Sequence, residues 1–262
     1  MNVLAMSVCC VDVFPDTGKC YVGGNSLNFA IQARKSGAER AAVLGAIGND
    51  EYGQLIRSYL KEKSVDTAFL RTLPTRTASN RIYIDAGGDR YFLPDSWDGG
   101  AYAEYRATPE DLDYLNTFDL VAITFHDPSF SAVLENKKNY RLAVDYLDFR
   151  DYAIMERVLT KTDITFISGN DEVVEVLKPL SQRYNALIVV TLGARGSVAL
   201  INGQSWYQPA EPVSNVVDTT GCGDAYQAAF SLSWLKDGDI EKAMKAGSVA
   251  AAYVLGHVGG VD

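Results

Sequence analysis

The sequence has little of the side chains that usually hold metals or form disulfides. It contains two histidines, His126 and His257, and four cysteines at positions 9, 10, 20 and 222. The cysteines form neither a CxxC pair nor a zinc-ligand spacing. A histidine-based metal site is therefore not expected, and nothing in the sequence supports a metal-dependent hydrolase or a redox enzyme.

Positive charge and long apolar runs are also scarce. Lys and Arg total 24 against 33 Asp and Glu, which gives a net charge of −9. This balance argues against a nucleic-acid-binding surface, which normally carries a basic patch. No apolar run reaches the roughly 18 residues that a membrane helix needs, and the first residues lack the features of a signal peptide. We expect a cytoplasmic protein without nucleic-acid or membrane partners.

What the chain does show is an alternation of strand and helix patterns. Residues 2–14 are mostly apolar and β-branched, and predict one buried strand that ends near Asp12. From Thr108 onward, strand patterns at 120–125, 141–145, 163–168 and 186–192 are separated by helical patterns. This order is typical of a parallel sheet flanked by helices. With no internal repeat or linker, the chain predicts one α/β domain over residues 1–262.

The most informative stretch is Asp218-Thr219-Thr220-Gly221-Cys222-Gly223-Asp224-Ala225. It reads as a glycine-rich turn that opens into a helix. Backbone N–H groups at a helix start have no intrahelical partners and favour an anion, most often a phosphate. A carboxylate at Asp224 has three possible roles there: it caps the helix, holds a metal, or takes a proton from an attacking hydroxyl.

This octet resembles the C-terminal signature of the ribokinase-like sugar kinases, also called the phosphofructokinase-B family. The signature reads Asp-Thr-x-Gly-Ala-Gly-Asp, and Cys222 replaces its usual alanine. Two other stretches resemble family motifs in the same order: Gly23-Gly24-Asn25-Ser26-Leu27-Asn28, and Val190-Thr191-Leu192-Gly193-Ala194-Arg195-Gly196. The resemblance covers nearly the whole chain. No Walker-type phosphate loop occurs, which excludes a P-loop kinase.

The resemblance implies a three-layer α/β/α sandwich with a mainly parallel central sheet and a small β-sheet lid. The lid strands would come from about residues 12–24 and 77–93. It also implies an ATP-dependent enzyme that uses Mg²⁺ and phosphorylates a hydroxyl of a small sugar-like substrate. Asp224 would be the general base, and the N–H groups of Gly221, Cys222 and Gly223 would stabilise charge on the transferred phosphoryl group.

The remaining site residues follow from the same motifs. By resemblance, the substrate site would contain Asp12, Gly23, Gly24, Asn25, Asn28, Arg81 and Arg90. The nucleotide site would contain Thr191, Gly193, Gly196, Thr219, Gly221 and Gly223, and the adenine would lie near the final two helices. Glu172 would bind magnesium. The position of a family asparagine falls on Gly169, and the adjacent Asn170 is the residue that would substitute for it. For Arg81 and Arg90, solvated strand positions are the alternative.

Within the family, the short N-terminal motif, the short lid and the length look most like bacterial fructoselysine kinases. Fructokinase, ribokinase and nucleoside kinase activities stay open, and so does a non-catalytic sugar- or nucleotide-binding role. The resemblance also raises, without deciding, a homodimer formed through the lid and a monovalent-cation site near Asp218 and Thr220. Cys222, at a helix start, is expected to have a lowered thiol pKa.

Overall fold

The computed structural model describes residues 1–84, 90–256 and 261, and the side chains of residues 84 and 90–92 lie outside this description. The strands are β1 Asn2–Met6, β2 Cys10–Phe14, β3 Lys19–Gly23, β4 Arg40–Gly48, β5 Leu70–Leu73, β6 Ser79–Ile84, β7 Arg90–Phe92, β8 Leu120–Thr124, β9 Arg141–Asp145, β10 Ile164–Ser168, β11 Ile188–Thr191, β12 Ser197–Ile201 and β13 Gln204–Gln208. The helices are α1 Asn25–Lys35, α2 Glu51–Glu62, α3 Gly100–Glu104, α4 Pro109–Leu115, α5 Phe130–Glu135, α6 Tyr152–Val158, α7 Asp171–Tyr184, α8 Cys222–Asp237 and α9 Ile240–Leu255.

The large sheet has the order β13-β12-β11-β10-β9-β8-β1-β4-β5. From β11 to β5 every neighbouring pair is parallel, whereas β12 and β13 are antiparallel at one edge. The chain leaves β1 first for β4 on one side and returns later to β8 on the other. Ligands of open α/β sheets bind at the carboxyl ends of the strands where the strand order reverses in this way. This edge, at the end of β1, is where a site is expected.

Helices cover both faces of the sheet, as the alternation of side chains along β1 requires. Val3 and Ala5 are buried in a cluster formed with α1, α2, α8 and α9. Leu4 and Met6 are buried in a second cluster formed with the helices from α3 to α7. Because both faces of the strand are buried, β1 reads as an uninterrupted apolar run. The expected three-layer sandwich with a mainly parallel sheet is confirmed.

A second, small sheet has the order β3-β2-β6-β7. Strands β2 and β3 pair antiparallel, β2 and β6 parallel, and β6 and β7 antiparallel. Strands β3, β6 and β7 lie within the two segments that the sequence predicts for a lid, and β2 begins two residues before the first of them. The sequence predicts a hairpin loop at Ala86-Gly87-Gly88, and these residues lie outside the described part of the chain.

The prediction of one strand over residues 2–14 is wrong. The chain forms β1 in the large sheet and β2 in the small one, with residues 7–9 between them. The reason is a set of polar contacts at the break. The hydroxyl Oγ of Ser26 lies 3.1 Å from the carbonyl oxygen of Ser7 and 2.9 Å from that of Val8. These carbonyls are therefore occupied by α1 instead of by a sheet ladder.

Other differences are local. The sequence predicts an irregular loop over residues 94–105 and a helix around residues 131–139. The structure has the short helix α3 within the first segment, and α5 is shorter than the predicted helix. The residues Thr108-Pro109-Glu110-Asp111 predict a helix start. This prediction is confirmed, since the side chains of Thr108 and Asp111 form a reciprocal capping box at the start of α4. Within residues 1–84, 90–256 and 261, no helix has the length and hydrophobicity that crossing a membrane would need.

Candidate active site

The first turns of α1 and α8 meet around the carboxylate of Asp224. The side-chain amide of Asn25 donates to Oδ1 at 3.1 Å, and that of Asn28 donates to Oδ2 at 2.8 Å. The contacts join residues 199 and 196 positions apart in the chain. The structure therefore brings the N-terminal Gly-Gly-Asn motif and the C-terminal octet together. The other amide atom of Asn28, Oδ1, is buried and has no partner among the described residues.

The glycine before α1 makes this meeting possible. Gly24 is the residue that precedes the helix, and its φ is 100°, a value that favours glycine. A Cβ at this position would lie 2.4 Å from the carbonyl oxygen of Val8. The close approach of two backbones places Asn25 and Asn28 in the first turn, facing α8. Gly23 differs, because a Cβ there would lie 3.3 Å from the carboxylate of Asp12.

Asp224 is a buried acid, with 8% of its surface exposed. Burial is the main cause that raises its pKa to about 7; the negative charge of Asp145 contributes in the same direction, and the hydrogen bonds from Asn28 and Asn25 oppose the shift. A carboxyl group with a pKa near 7 is suited to accept a proton at neutral pH. Its two oxygens are bonded to side-chain amides, so Asp224 does not cap its own helix.

The N-terminus of α8 is left open toward a ligand. Gly221 precedes the helix with φ 74°, and no side chain caps the first turn. Gly223 is exposed, and a Cβ built on it would meet nothing within 4 Å. An uncapped helix start beside open space is the arrangement in which backbone N–H groups bind phosphate. Thr219 lies just before it and is also exposed.

A pocket of about 820 Å³, called the large pocket below, lies against this turn. Its lining is made mainly of small side chains from β11, the end of β10, the α8 turn and α9: Ser168, Gly169, Thr191, Leu192, Gly193, Ala194, Gly196, Ala210, Glu211, Val216, Thr219, Cys222, Gly223, Tyr226, Ser248, Ala251, Ala252 and Leu255. The volume is within the range of small-molecule and cofactor sites. All of the residues predicted for the nucleotide, except Gly221, line it.

Two of those residues, Gly193 and Gly196, have different structural reasons for being glycine. Gly193 has φ 60° and open space around it, whereas a Cβ at Gly196 would lie 2.1 Å from the carbonyl oxygen of Gln208. Gly196 therefore permits the close approach of β13 to the turn. Among the lining residues that the structure describes, Glu211 is the charged one, and it pairs with Lys245. Arg195, which follows Gly193 in the motif, pairs with Asp171 instead.

The small sheet carries Asp12 on one face. Asp12 lies opposite Asn80 in the neighbouring strand, so the two residues share that face. Cys10, also in β2, is close enough to both Asp12 and Asp224 for their charges to add to the effect of burial, which raises its thiol pKa. Arg81 is in register with Val13, on the opposite face, and is exposed. The Arg90 side chain lies outside the described residues.

The predicted metal ligand Glu172 is exposed in the first turn of α7, three residues after Gly169 in the large pocket. Asn170 caps that helix, since its Oδ1 accepts from the N–H of Val173 at 3.1 Å. In the described part of the chain, no three acidic, histidine or cysteine side chains form a metal-binding group. Magnesium at kinase sites is bound by one or two carboxylates together with substrate phosphates and waters, and one exposed carboxylate beside a phosphate pocket fits that pattern.

The expectation for Cys222 is wrong in direction. Its thiol pKa is raised, first by burial and next by the negative charge of Asp224. The helix start favours a thiolate, and these two effects outweigh it. Cys222 therefore lines the large pocket as a neutral thiol.

Sequence reasoning missed Asp145, the last residue of β9. Its side chain is 9% exposed, and its Oδ2 accepts from the side-chain amide of Gln227, one turn after Asp224 on α8, at 2.9 Å. An acid at the carboxyl end of a parallel strand was the available signal. Ser7 and Thr124, at the ends of β1 and β8, were missed as well. Their hydroxyls are 2.7 Å apart beside the same site.

Comparison with known proteins agrees with this geometry. The chain is 28% identical over 254 residues to fructoselysine 6-kinase of Shigella flexneri, with 95% of each chain covered. It is 24% identical over 265 residues to the fructosamine kinase FrlD of Bacillus subtilis, covering 99% of this chain and 92% of that protein. Each alignment covers nearly the full length of both proteins.

Solved structures show the same fold. Arabidopsis thaliana ribokinase complexed with ribose and ATP superposes with a TM-score of 0.84 at 19% identity, over 99% of this chain and 94% of that one. The family model described as pfkB family carbohydrate kinase matches residues 11–151 and 156–262. The chain therefore belongs to the pfkB family of carbohydrate kinases, which are phosphotransferases acting on sugar hydroxyls.

Proposed function

We propose that this kinase transfers the γ-phosphoryl group of ATP to the 6-hydroxyl of a fructosamine, with fructoselysine as the first candidate. The observation that carries the proposal is the position of Asp224. A buried carboxylate with a pKa near 7 lies between two asparagines and within one turn of an uncapped helix start. A base for the substrate alcohol and a binding site for the phosphoryl group thus lie on one helix.

In the reaction, Asp224 takes the proton from the substrate hydroxyl. The oxygen forms a bond to the γ-phosphorus, the bond between that phosphorus and the bridging oxygen breaks, and ADP leaves. A positioned general base contributes about 10²–10⁴ in rate. Asn25 and Asn28 hold the carboxylate, and the free Oδ1 of Asn28 is an acceptor for a second substrate hydroxyl.

The backbone N–H groups of Gly221, Cys222 and Gly223 stabilise the negative charge on the transferring phosphoryl group. Donors that already point to the position where charge develops need no rearrangement during the reaction. The positive end of the α8 dipole adds to this effect. Gly223 has no side chain over the turn, and the space where a Cβ would lie is open.

The nucleotide occupies the large pocket, with Thr191, Gly193, Gly196 and Thr219 along its phosphates and ribose and α9 near the adenine. The described lining carries no lysine or arginine, so backbone groups bind the phosphates. Glu172 is the carboxylate that would hold Mg²⁺ through water. When bound, magnesium neutralises charge on the phosphate oxygens.

The sugar lies between α1 and the small sheet, which acts as a lid that excludes water. Asp12 and the Gly23-Gly24-Asn25 turn face it from one side. A fructosamine differs from fructose in its cationic amine, and Asp12 is the acid on the lid face that would attract that group. The two relatives named for fructosamine substrates support this choice over fructose or a nucleoside. Arg81 and Arg90 serve a substrate carboxylate at the rim.

The test is a coupled ADP-release assay with ATP and magnesium against fructoselysine, other fructosamines, fructose, ribose, fructose phosphates and nucleosides. We expect a fructosamine to give the highest kcat/KM. Asp224→Asn should lower kcat by about 10²-fold or more, whereas Asp237→Asn, at the far end of α8, should leave it unchanged. A strong preference for fructose or a nucleoside would overturn the substrate assignment, and full activity of Asp224→Asn would overturn the catalytic one.

A further inference from the structure

A small cavity at the ends of β1, β8 and β9 is lined in part by Asp224. Its volume is about 20 Å³, room for about one water molecule and too little for a sugar. Two acids line it, Asp224 and Asp145, together with Ser7, Thr124, Asn25 and Gln227. No lysine, arginine or histidine is among the described residues of the lining. The two carboxylates therefore share a buried space in which no cation neutralises them.

Asp145 is held firmly on its side of this cavity. Its Oδ2 accepts from Nε2 of Gln227 at 2.9 Å, and its Oδ1 accepts from the backbone N–H of Leu147, also at 2.9 Å. Both donors are neutral amides that fix the carboxylate and favour its ionised form, against burial, which raises the pKa of Asp145. Gln227 lies three residues after Asp224, on the same face of α8. One helix therefore positions the base and the group that orients the second acid.

The other groups around Asp224 carry little charge of their own. From α1 it faces Asn25 and Asn28, which are neutral. From β2 it faces Cys10, and from its own helix Cys222, and burial raises the pKa of both thiols so that they stay protonated at neutral pH. Asp12 and Asp218 are further acids on this side of the molecule, and they act on Cys10 and Cys222 respectively.

We propose that Asp145 is a positioning residue that works through Asp224: its carboxylate, oriented by Gln227, increases the proton affinity of the Asp224 carboxylate across the shared cavity. A nearby like charge disfavours the ionised form of an acid. A carboxylate that binds a proton more strongly is a better base for an alcohol near neutral pH. This inference rests on the proposed role of Asp224 as the base, and it adds the group that raises the proton affinity of that base.

The structure also offers a purely architectural role for Asp145. Leu147 has φ 54°, an unusual value for a residue with a side chain, and its N–H bonds to Asp145. Replacing Asp145 by Asn separates the two roles. The amide keeps its volume and its oxygen still accepts from Leu147, while Gln227 can turn its own oxygen toward the new NH₂ group. The charge is the property that is lost.

The experiment is the pH profile of kcat/KM for Asp145→Asn with the best substrate of the panel. We expect the acid limb to move to lower pH by about one unit, and the plateau to fall several-fold because the base is weaker. Asp163→Asn is the matched control, since Asp163 is a half-buried acid just before β10, at the amino-terminal end of that strand, whereas Asp145 lies at the carboxyl end of β9. Its acid limb should match that of the wild type.

A second variant tests the same role in case Asp145→Asn does not fold. Gln227→Met removes the donor to Asp145, which raises the pKa of that acid and weakens its charge, so the acid limb should again move to lower pH. An unchanged limb in both variants, while Asp224→Asn is inactive, would overturn the role of Asp145 and leave the base assignment standing. An active Asp224→Asn would overturn both. Titration of the Asp224 carboxyl by carbon NMR reads the same shift without turnover, and the same direction is expected.

Discussion

Replacing Asn28 by Ala removes the hydrogen bond that sets the strength of the proposed base, together with the Oδ1 atom proposed as an acceptor for a substrate hydroxyl. The amide of Asn28 donates to Asp224 Oδ2 at 2.8 Å, and Asn28 is 3% exposed. A hydrogen bond to a charged group contributes about 1.5–3 kcal/mol. It favours the ionised form of Asp224, because a protonated carboxyl accepts more weakly. Its loss should therefore raise the pKa of Asp224.

The magnitude follows from that energy. One pKa unit corresponds to about 1.4 kcal/mol, so the pKa should rise by about 1–2 units. Asp224 starts at about 7, and acts as a base when deprotonated, so activity is present above its pKa and lost below it. At pH 7.5 about three quarters of the wild type is ionised, against about a quarter to a thirtieth of the variant, which gives a loss of about 3- to 25-fold.

The assay is the pH profile of kcat/KM between pH 6 and 9.5. For Asn28→Ala the acid limb should move to higher pH, opposite to the direction expected for Asp145→Asn. At pH 9 about half to nine tenths of the variant should be ionised, so the pH-dependent part of the loss should largely disappear and only the loss from the missing Oδ1 contact should remain. Asn136→Ala, the same change at an exposed position after α5, should leave the limb unchanged. A loss that is equal at every pH would show that Asn28 contacts substrate without tuning Asp224, and would refute this reasoning.

Three further predictions concern the turns around the site. Gly24→Ala should lower the free energy of unfolding in urea by about 1–3 kcal/mol or more, because its Cβ would lie 2.4 Å from a carbonyl oxygen. Gly18→Ala, also at positive φ but in open space, should lower it less. Equal losses of stability in the two variants would contradict the clash. Gly223→Ala should fold as stably as the wild type and raise the KM for ATP, since its methyl group enters the space proposed for phosphate; an unchanged KM would place the phosphates elsewhere. The thiol of Cys222, whose pKa is raised, should react with iodoacetamide more slowly at pH 7.5 than a free cysteine does, and faster alkylation would contradict the neutral thiol.

The fold was predictable where a local pattern repeats. The capping box at Thr108 and the apolar face of α8, with Ala225 and Ala228 fully buried, follow from residues a few positions apart. The break between β1 and β2 within residues 2–14 was not predictable from a local pattern. It depends on Ser26, a residue further along the chain whose hydroxyl lies between the carbonyls of Ser7 and Val8. A continuous apolar stretch does not indicate that its two halves belong to different sheets.

The candidate site divides in the same way. The motifs placed Asp224, Asn25 and Asn28 without showing that they touch, since the contact spans 199 residues. Asp145 escaped notice because an acid at a strand end is most often a turn residue, and its effect on Asp224 depends on the small cavity between β9 and α8. Cys222 was misjudged because the helix start is visible in sequence, whereas burial and the charge of a neighbouring acid are not.

The position of Asp224 on α8 addresses a conflict that the proposed chemistry creates. A protein of net charge −9 must bind an anionic nucleotide beside a buried carboxylate, and the described lining of the large pocket offers no lysine or arginine. The partial positive charge at a helix N-terminus attracts phosphate and also stabilises a nearby carboxylate. Because Cys222 and Gly223 in the first turn line the pocket and the Asp224 side chain faces α1, one helix start can serve both anions. The distance between base and phosphoryl group is then fixed by helix geometry, which positions a site more precisely than a loop does.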